Sequence, residues 1–122
     1  MGNPVIWFEL PAVELERAKA FYEAVFGLRL AVMAMGPRQL AFFPMAEGVP
    51  GIGGALVRDE GYAPSRDAGP IVYFSVADIA ATLAKVTANN GRTPVPRTDI
   101  GQFGAFAHFA DSEGNRVGLH TM

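Results

Sequence analysis

Side chains that could take part in chemistry are few in this sequence, and most lie far from one another along the chain. The sequence contains two histidines, His108 and His120, and no cysteine. The lack of cysteine excludes thiolate nucleophiles, thiolate metal sites and disulfides, and it favours a protein of the reducing cytoplasm. No serine lies in a nucleophile motif. The chemistry that remains is that of carboxylates, phenols, imidazoles and guanidinium groups.

Glu9 is the most informative of these side chains. It alternates with Trp7 inside an apolar run, so both side chains are expected on the same face of a strand. A carboxylate in such surroundings would be partly desolvated, which raises its pKa and would let it act as an acid or a base. The alternative is a structural carboxylate, either hydrogen-bonded or paired at the mouth of a cleft with an arginine such as Arg116.

Two aromatic side chains are further candidates. Tyr73 occupies, in a second and similar stretch, the position that Glu9 occupies in the first. Its hydroxyl could bind a ligand or stabilise an oxyanion, or it could be a satisfied core hydroxyl. Trp7, the single tryptophan, could stack on a planar ligand or fill the core.

The last strand supplies the remaining candidates. Arg116 and His120 alternate with Gly118, so we expect all three to face inward, where an arginine suits an anionic ligand group. A turn at residues 111–114 would place His108 beside Val117, and hence on the opposite face from His120. The two imidazoles then could not share a metal ion, and His108 is expected to point toward the helix layer or the surface.

An internal repeat indicates how these residues are positioned. Residues 71–91 align with residues 7–27 without a gap, an offset of 64 positions. Both copies begin with an alternating apolar run, continue with an acidic residue at a helix start and reach a glycine at the helix end. The acidic residues are Glu14 and Asp78, and the glycines are Gly27 and Gly91. Two copies predict two similar modules packed around a shared centre.

Hydrophobic periodicity predicts a β-α-β-β-β order for each module. The predicted strands lie at residues 4–10, 28–34, 39–45, 51–58, 71–76, 93–97, 103–110 and 115–121. The predicted helices lie at 14–26 and from Asp78 to about residue 88. Residues expected to face the helices are Phe8, Leu10, Val72, Phe74 and Val76. The polar, glycine-rich and proline-rich segment 59–70 reads as a linker, so we expect one domain at 1–122, with modules at about 4–58 and 71–122.

Composition narrows the possible partners. Half of the 122 residues are hydrophobic and 18% are charged, which is typical of one folded domain with one core. A net charge of −2 and the lack of a lysine–arginine cluster argue against nucleic acid. No apolar run approaches the roughly 20 residues that cross a bilayer, and no secretory signal is visible. We expect a homodimer, because open sheets leave apolar faces and edges to cover.

Two stretches of the sequence resemble motifs of a known family. LPAVELERAKAFYEAVFGL at 10–28 and FADSEGNRVGL at 109–119 are similar to the first and last motifs of the vicinal oxygen chelate superfamily, which contains glyoxalases, bleomycin-resistance proteins and extradiol dioxygenases. Ser112 stands where that family usually has proline. The resemblance implies an α+β fold, with two βαβββ modules that form an open, U-shaped mixed β barrel with its helices outside. It also implies a cleft often completed by a second subunit.

The same resemblance implies four cleft positions that hold a metal in the metal-dependent members. They fall here on Trp7 and Ile71, and near Gly54 and Gly118, and none of these residues has a side chain that binds metal. We therefore expect no cofactor, with a divalent metal held by relocated ligands as the alternative.

The expected function is that of a glyoxalase-like or bleomycin-resistance-like protein that binds a small aromatic or apolar organic molecule without metal. The expected ligand-binding residues are Trp7, Glu9, Ile71, Tyr73, Arg116, Gly118 and His120. One alternative is a metal-independent lyase or isomerase with Glu9 as acid or base and Tyr73 or His120 stabilising an oxyanion. A second alternative is a metal-dependent lyase or dioxygenase, so the sequence leaves open whether the protein is an enzyme.

Overall fold

The computed structural model describes residues 2–49 and 51–122 and contains two βαβββ modules. Module one consists of β1 (Trp7–Pro11), α1 (Leu15–Phe26), β2 (Ala31–Met35), β3 (Arg38–Phe42) and β4 (Gly53–Arg58). Module two consists of β5 (Tyr73–Ser75), α2 (Ile79–Ala88), β6 (Arg92–Asp99), β7 (Ala105–Ala110) and β8 (Arg116–Thr121), with a 3-10 turn at Gly101–Phe103. The predicted α+β class and element order are confirmed.

Each module folds into one four-stranded mixed sheet. The strand orders are β1-β4-β3-β2 and β5-β8-β7-β6. The first and last strands of each module pair in parallel, and the other pairs are antiparallel. Neither sheet closes on itself, as expected for an open barrel. The edge strands β1 and β5 approach each other on the helix side, where the Phe8 and Phe74 rings have centroids 5.9 Å apart.

The core lies between the two helices and the sheet faces turned toward them. α1 buries residues at steps of three and four, which gives the helix one apolar face. These residues are Leu15, Ala18, Phe21, Tyr22 and Val25. They join residues of module two in a single cluster, in which the rings of Phe21 and Phe109 have centroids 6.0 Å apart. The five residues predicted to face the helices all belong to this cluster or pack against it.

The helix ends follow the repeat closely. Asp78 caps the N-terminus of α2, where its side chain accepts a hydrogen bond from the backbone N–H of Ala81 at 3.1 Å, as its sequence position predicts. Gly27 ends α1 in the left-handed conformation, with φ of 65°. In α2 the left-handed residue is Asn90, with φ of 70°, rather than Gly91. The second helix therefore ends slightly earlier than the first.

The pairing of β7 with β8 differs by one residue from the prediction. His108 lies opposite Gly118, not Val117, and Ala110 lies opposite Arg116. The predicted separation of His108 from His120 was therefore wrong, because both histidines lie on the same face of the sheet. The cause is the length of the turn: Asp111 binds the N–H of Asn115 through its carboxylate, which makes Asn115 part of the turn instead of the strand.

Other strand boundaries moved for identifiable reasons. β5 spans only three residues, so Ile71 precedes the strand. β6 runs longer than predicted although it contains Pro94 and Pro96, because it is an edge strand whose pairing with β7 shifts register twice. β7 begins later than predicted because the 3-10 turn occupies the residues just before it.

The turn between β7 and β8 connects the two modules. We call residues 111–115 the closing turn. The side chain of Glu113 is fully buried and accepts the backbone N–H groups of Val13 and Glu14, both at 2.8 Å, where α1 begins. It also accepts a hydrogen bond from Nε of Arg17 at 2.7 Å. Burial raises the pKa of Glu113, but the bonds from Arg17 and the backbone outweigh this effect and lower it overall.

Two further side chains of the closing turn bind module one. Asn115 donates from Nδ2 to the carbonyl oxygen of Pro11 at 2.7 Å. Tyr22 donates its hydroxyl to Oδ2 of Asp111 at 2.6 Å. Burial raises the pKa of Asp111, although its hydrogen bonds act in the opposite direction. The closing turn therefore fixes β8 relative to the first strand and helix of the chain.

Replacing Glu113 with glutamine is expected to lower the free energy of unfolding by about 2 kcal/mol, because charge-assisted hydrogen bonds become neutral ones in a buried position. Urea denaturation at pH 7 measures the loss. The native pKa of Glu113 lies below its ordinary value of 4.5, so the carboxylate stabilises the fold above that pH. The difference between wild type and variant should shrink as the pH falls through the native pKa. The exposed Glu47→Gln is the control, and an equal loss in both variants would contradict this role.

Candidate functional site

The face of the second sheet that is turned away from the helices carries most of the candidate residues. Residues that pair across strands lie on the same face, and alternate residues along β7 and β8 belong to the core. We call this face, on the side of the second sheet away from the helices, the module-two face. Its residues form rows that cross the sheet. One row contains Tyr73, Gly118 and His108, the next contains Ser75, His120 and Phe106, and Arg116 and Ala110 lie on the other side of the first.

Tyr73, His108 and Arg116 form a hydrogen-bonded chain on this face. Oη of Tyr73 lies 2.7 Å from Nε2 of His108, and Nε of Arg116 lies 3.2 Å from Nδ1 of His108. Arginine can only donate, so Nδ1 of His108 must accept, and the neutral ring carries its proton on Nε2. Burial and the charge of Arg116 both lower the pKa of His108, which favours this neutral ring.

This arrangement of three side chains does not use the hydroxyl proton of Tyr73. Because Nε2–H of His108 donates to Oη of Tyr73, the tyrosine O–H is available to an acceptor other than His108. His108 was expected to point toward the helix layer or the surface, and that expectation was wrong. It followed from the one-residue register error, since a shift of one residue moves a side chain to the other face.

An apolar hollow lies beside Tyr73, toward the end of β8. Its volume is about 480 Å3, and its lining includes Ser75, Ile100, Phe106 and His120. Nε2 of His120 lies 2.7 Å from the carbonyl oxygen of Phe103. A carbonyl oxygen can only accept, so the neutral ring of His120 donates through Nε2 and retains Nδ1 as an acceptor. The hollow therefore combines apolar walls with polar groups that have spare hydrogen-bonding capacity among the described residues: the Tyr73 hydroxyl, the Ser75 hydroxyl and Nδ1 of His120.

Glycine makes room for an aromatic ring on each sheet. A Cβ at Gly118 would collide with the ring of Tyr73, and one at Gly53 would lie 2.9 Å from the Trp7 ring. The sequence placed the module-one position near Gly54, but a Cβ there would meet Phe8 on the helix side instead. Relative to the 64-residue offset between the modules, β4 and β8 are shifted by one residue. Gly54, the predicted position, therefore lies on the helix side of its sheet, and Gly53 lies on the face of Trp7.

Glu9 lies on the corresponding face of the first sheet, where three side chains bind its carboxylate. Nε1 of Trp7 donates at 3.2 Å, the hydroxyl of Tyr62 at 2.9 Å and Nη2 of Arg38 at 3.1 Å. Burial raises the pKa of Glu9, but these bonds and the charge of Arg38 outweigh it, so its pKa is lowered rather than raised. Its arginine partner is Arg38, whereas Arg116 binds His108.

Tyr62 and Arg38 were missed by the sequence reasoning. Arg38 begins β3, and Tyr62 lies in the segment predicted as a linker. The Cζ atom of Arg38 lies 5.3 Å from the centroid of the Tyr62 ring, so the two side chains also contact each other. An aromatic residue within an otherwise polar segment was the available signal.

A groove between β1 and β5 brings together residues from both modules. Its volume is about 790 Å3, and its lining includes Trp7, Ile52, Ile71 and Tyr73. Trp7 is 37% exposed to solvent and Tyr73 is 47% exposed. Three predicted ligand-binding residues therefore share this groove, and Tyr73 also borders the apolar hollow.

The residues at the expected metal positions do not fit a divalent ion. Trp7, Ile71 and Gly118 have no nitrogen or carboxylate oxygen suited to metal binding, and neither has Gly53, which shares the face of Trp7. Within residues 2–49 and 51–122, no group of three or more histidine, aspartate or glutamate side chains could hold an ion.

The sequence from residue 5 to residue 119 matches the family model of the Glyoxalase/Bleomycin resistance protein/Dioxygenase superfamily. The chain belongs to this superfamily. CFP32 of Mycobacterium tuberculosis, described as a glyoxylase candidate, is 34% identical over 110 residues, which cover 90% of this chain and 41% of that protein. The chain thus spans about two fifths of the length of this relative.

A second relative agrees with the superfamily assignment, and a solved structure agrees with the fold. A glyoxylase-like domain-containing protein of Didymella fabae is 30% identical over 118 residues, which cover 93% of this chain and 89% of that protein. The glyoxylase/bleomycin resistance protein/dioxygenase domain from Frankia sp. superimposes with a TM-score of 0.75 at 13% identity, covering 99% of this chain and 98% of that domain. Among the described residues, α1 and α2 are both too short to cross a membrane.

The hydrogen bonds around His108 predict its tautomer. Long-range proton–nitrogen NMR spectra at pH 7 should show Nδ1 of His108 unprotonated and Nε2 protonated, and His120→Gln assigns the two rings. Replacing Arg116 with methionine should raise the pKa of His108 toward its ordinary value of 6.5, because the nearby positive charge is removed. Observation of the Nδ1–H tautomer in the wild type would contradict the arrangement.

Proposed function

We propose that the protein binds a small, planar aromatic or largely apolar organic molecule in the groove between β1 and β5 and in the adjoining hollow. The supporting observation is that Trp7 and Tyr73 both line this groove while each lies over a glycine and remains partly exposed. Aromatic rings bury large areas on binding, at about 25 cal/mol per Å2 of apolar surface. A planar ligand that covers both rings would gain this energy without forcing them to move.

The polar groups near the groove would orient the ligand. Within residues 2–49 and 51–122, no group accepts the Tyr73 hydroxyl proton or donates to Nδ1 of His120, so the two can serve a ligand as donor and acceptor. Glu9 would act indirectly, because its carboxylate binds the Trp7 indole and is surrounded by other donors. Ligand pockets commonly combine apolar walls with a few fixed polar groups of this kind.

The residues at the expected metal positions support binding more directly than metal-dependent catalysis. The superfamily includes bleomycin resistance proteins as well as enzymes. In this chain the expected metal positions carry side chains without suitable donors, which favours a role of the bleomycin-resistance kind. A metal-independent lyase that uses Glu9 as its base has less support, because the lowered pKa of Glu9 makes it a weak base.

Fluorescence of the single tryptophan provides the test. Planar bicyclic aromatic compounds are expected to quench Trp7 emission in a saturable manner and to raise the melting temperature. Tyr73→Leu should weaken binding at least tenfold, which corresponds to about 1.4 kcal/mol, because one wall of the groove loses its ring. Val13→Ala, at an exposed side chain before α1, is the control and should bind as wild type does. If no compound quenches or stabilises at millimolar concentration, the proposed function is wrong.

We also propose that the chain forms a homodimer through β2. This outer edge strand has the sequence AVMAM, and all five of its residues are exposed. An exposed, apolar edge strand tends to pair with another chain. The opposite outer edge, β6, is protected by Pro94, Pro96 and two register shifts.

Replacing Met33 in the middle of β2 with lysine is expected to convert the dimer to a monomer, because a charge would be buried at the interface. Sedimentation equilibrium measures the change in mass, with the exposed loop variant Val49→Lys as control. A wild-type chain that sediments as a monomer at micromolar concentration would refute the proposal.

A further inference from the structure

A second cavity lies on the module-two face, at the end opposite the apolar hollow. Its volume is about 410 Å3. We call it the arginine pocket, because three arginine side chains line it: Arg66, Arg92 and Arg116. Asp67, Ala110 and Gly114 also contribute to the lining. This cavity has no part in the function proposed above.

Strand pairing explains why two of the arginines converge. Arg92 on β6 pairs with Ala110 on β7, and Ala110 pairs with Arg116 on β8. The three residues therefore form a row on one face, with the small alanine between two long side chains. Neighbouring strands lie about 4.8 Å apart, so the two arginine backbones are roughly 10 Å apart. Ala110 leaves an open floor that a larger residue would fill.

The third arginine is brought in by the closing turn. The backbone N–H of Ser65 donates to Oδ1 of Asn115 at 3.0 Å, and the N–H of Arg116 donates to the Ser65 carbonyl at 2.9 Å. These bonds fix the segment that carries Arg66. Its side chain crosses Gly114, where a Cβ would lie 3.3 Å from Nε of Arg66. Gly114 therefore provides the space through which Arg66 reaches the pocket.

The charges in the pocket are poorly compensated. Asp67 is the one carboxylate in the lining, its side chain is 91% exposed, and it lies 3.9 Å from Nη1 of Arg116. A pair so exposed contributes little. In the part of the chain that the structure describes, Arg66 and Arg92 form no salt bridge within 4.0 Å. Three guanidinium groups around one cavity repel one another, and a bound oxyanion would relieve this repulsion.

We propose that the arginine pocket binds the oxyanion of an organic acid or phosphate ester, and that the apolar body of the same ligand extends over Tyr73 into the hollow. The second part of this proposal rests on the function proposed above. Nε of Arg116 donates a hydrogen bond to His108, so the two terminal nitrogens of that guanidinium are available to bind the anion. Arg116 and His120 are four residues apart on β8, so pocket and hollow lie about 13 Å apart. The geometry therefore selects an elongated anionic molecule.

The anion site is tested first by itself, with inorganic phosphate and with acetate as probes. Proton–nitrogen NMR spectra should show saturable shifts at the Gly114 and Arg116 amides, with half-saturation at millimolar probe. The double variant Arg66→Gln, Arg92→Gln should weaken binding at least fivefold. Arg97→Gln, an exposed arginine on the same strand as Arg92, is the matched control. Shifts that fail to saturate, or that are equally weakened by the control, overturn the arginine pocket.

The second arm tests the class of ligand with three matched elongated compounds: 4-(2-naphthyl)butanoate, 4-(2-naphthyl)butyl phosphate and the neutral 4-(2-naphthyl)butanamide. At least one anion should bind at least tenfold more tightly than the amide, and the double variant should abolish that preference. Preference for the carboxylate or the phosphate identifies the ligand chemistry, and either supports the inference. Equal binding of all three leaves the aromatic site standing and overturns the inference. Saturable phosphate binding without binding of any naphthyl compound retains the pocket but overturns the proposed function.

Discussion

The rest of the structure depends on the hydrogen bonds that the buried carboxylate of Glu113 accepts from module one. Its charge can be buried because donors from Val13, Glu14 and Arg17 surround it, all from module one. The same closing turn sets the register of β7 against β8. It also holds the segment that contains Ser65 against the start of β8. The register set inside this turn therefore places His108 and Arg116 on the module-two face, and the bonds of Glu113 to module one fix the turn against the start of the first helix.

The sequence predicted well those features that depend on local patterns. The positions of Glu14 and Asp78 predicted both helix starts, because apolar periodicity acts within a few residues and Asp78 caps α2 locally. The Glu14 side chain makes no cap hydrogen bond, and Glu113 of module two binds the N–H groups where α1 begins. The β7–β8 register could not be predicted in the same way. Whether the closing turn contains four or five residues depends on the Asp111 carboxylate, which binds the N–H groups of Glu113 and Asn115. That single residue of difference moved His108 from the expected helix side to the candidate site.

The direction of the pKa shift of Glu9 could not be predicted from the sequence either, for a different reason. An apolar run around a carboxylate indicates desolvation, and burial does raise its pKa. The residues that reverse the shift are Arg38 and Tyr62, which approach from β3 and from the segment after β4. Strand pairing and chain return bring them to Glu9 across a wide sequence separation. A pKa set by such partners can be assigned only when the sheet order is known.

The two modules hold an aromatic ring in the same way but leave opposite hydrogen-bonding surfaces. In module one, the N–H of the Trp7 indole is consumed by Glu9, so the ring presents an apolar surface. In module two, His108 donates to the oxygen of Tyr73, so the tyrosine keeps a free O–H. A ligand bound as proposed would therefore meet a hydrogen-bond donor at Tyr73 and an apolar ring surface at Trp7. In that binding mode its acceptor group would point toward Tyr73 and its apolar edge toward Trp7.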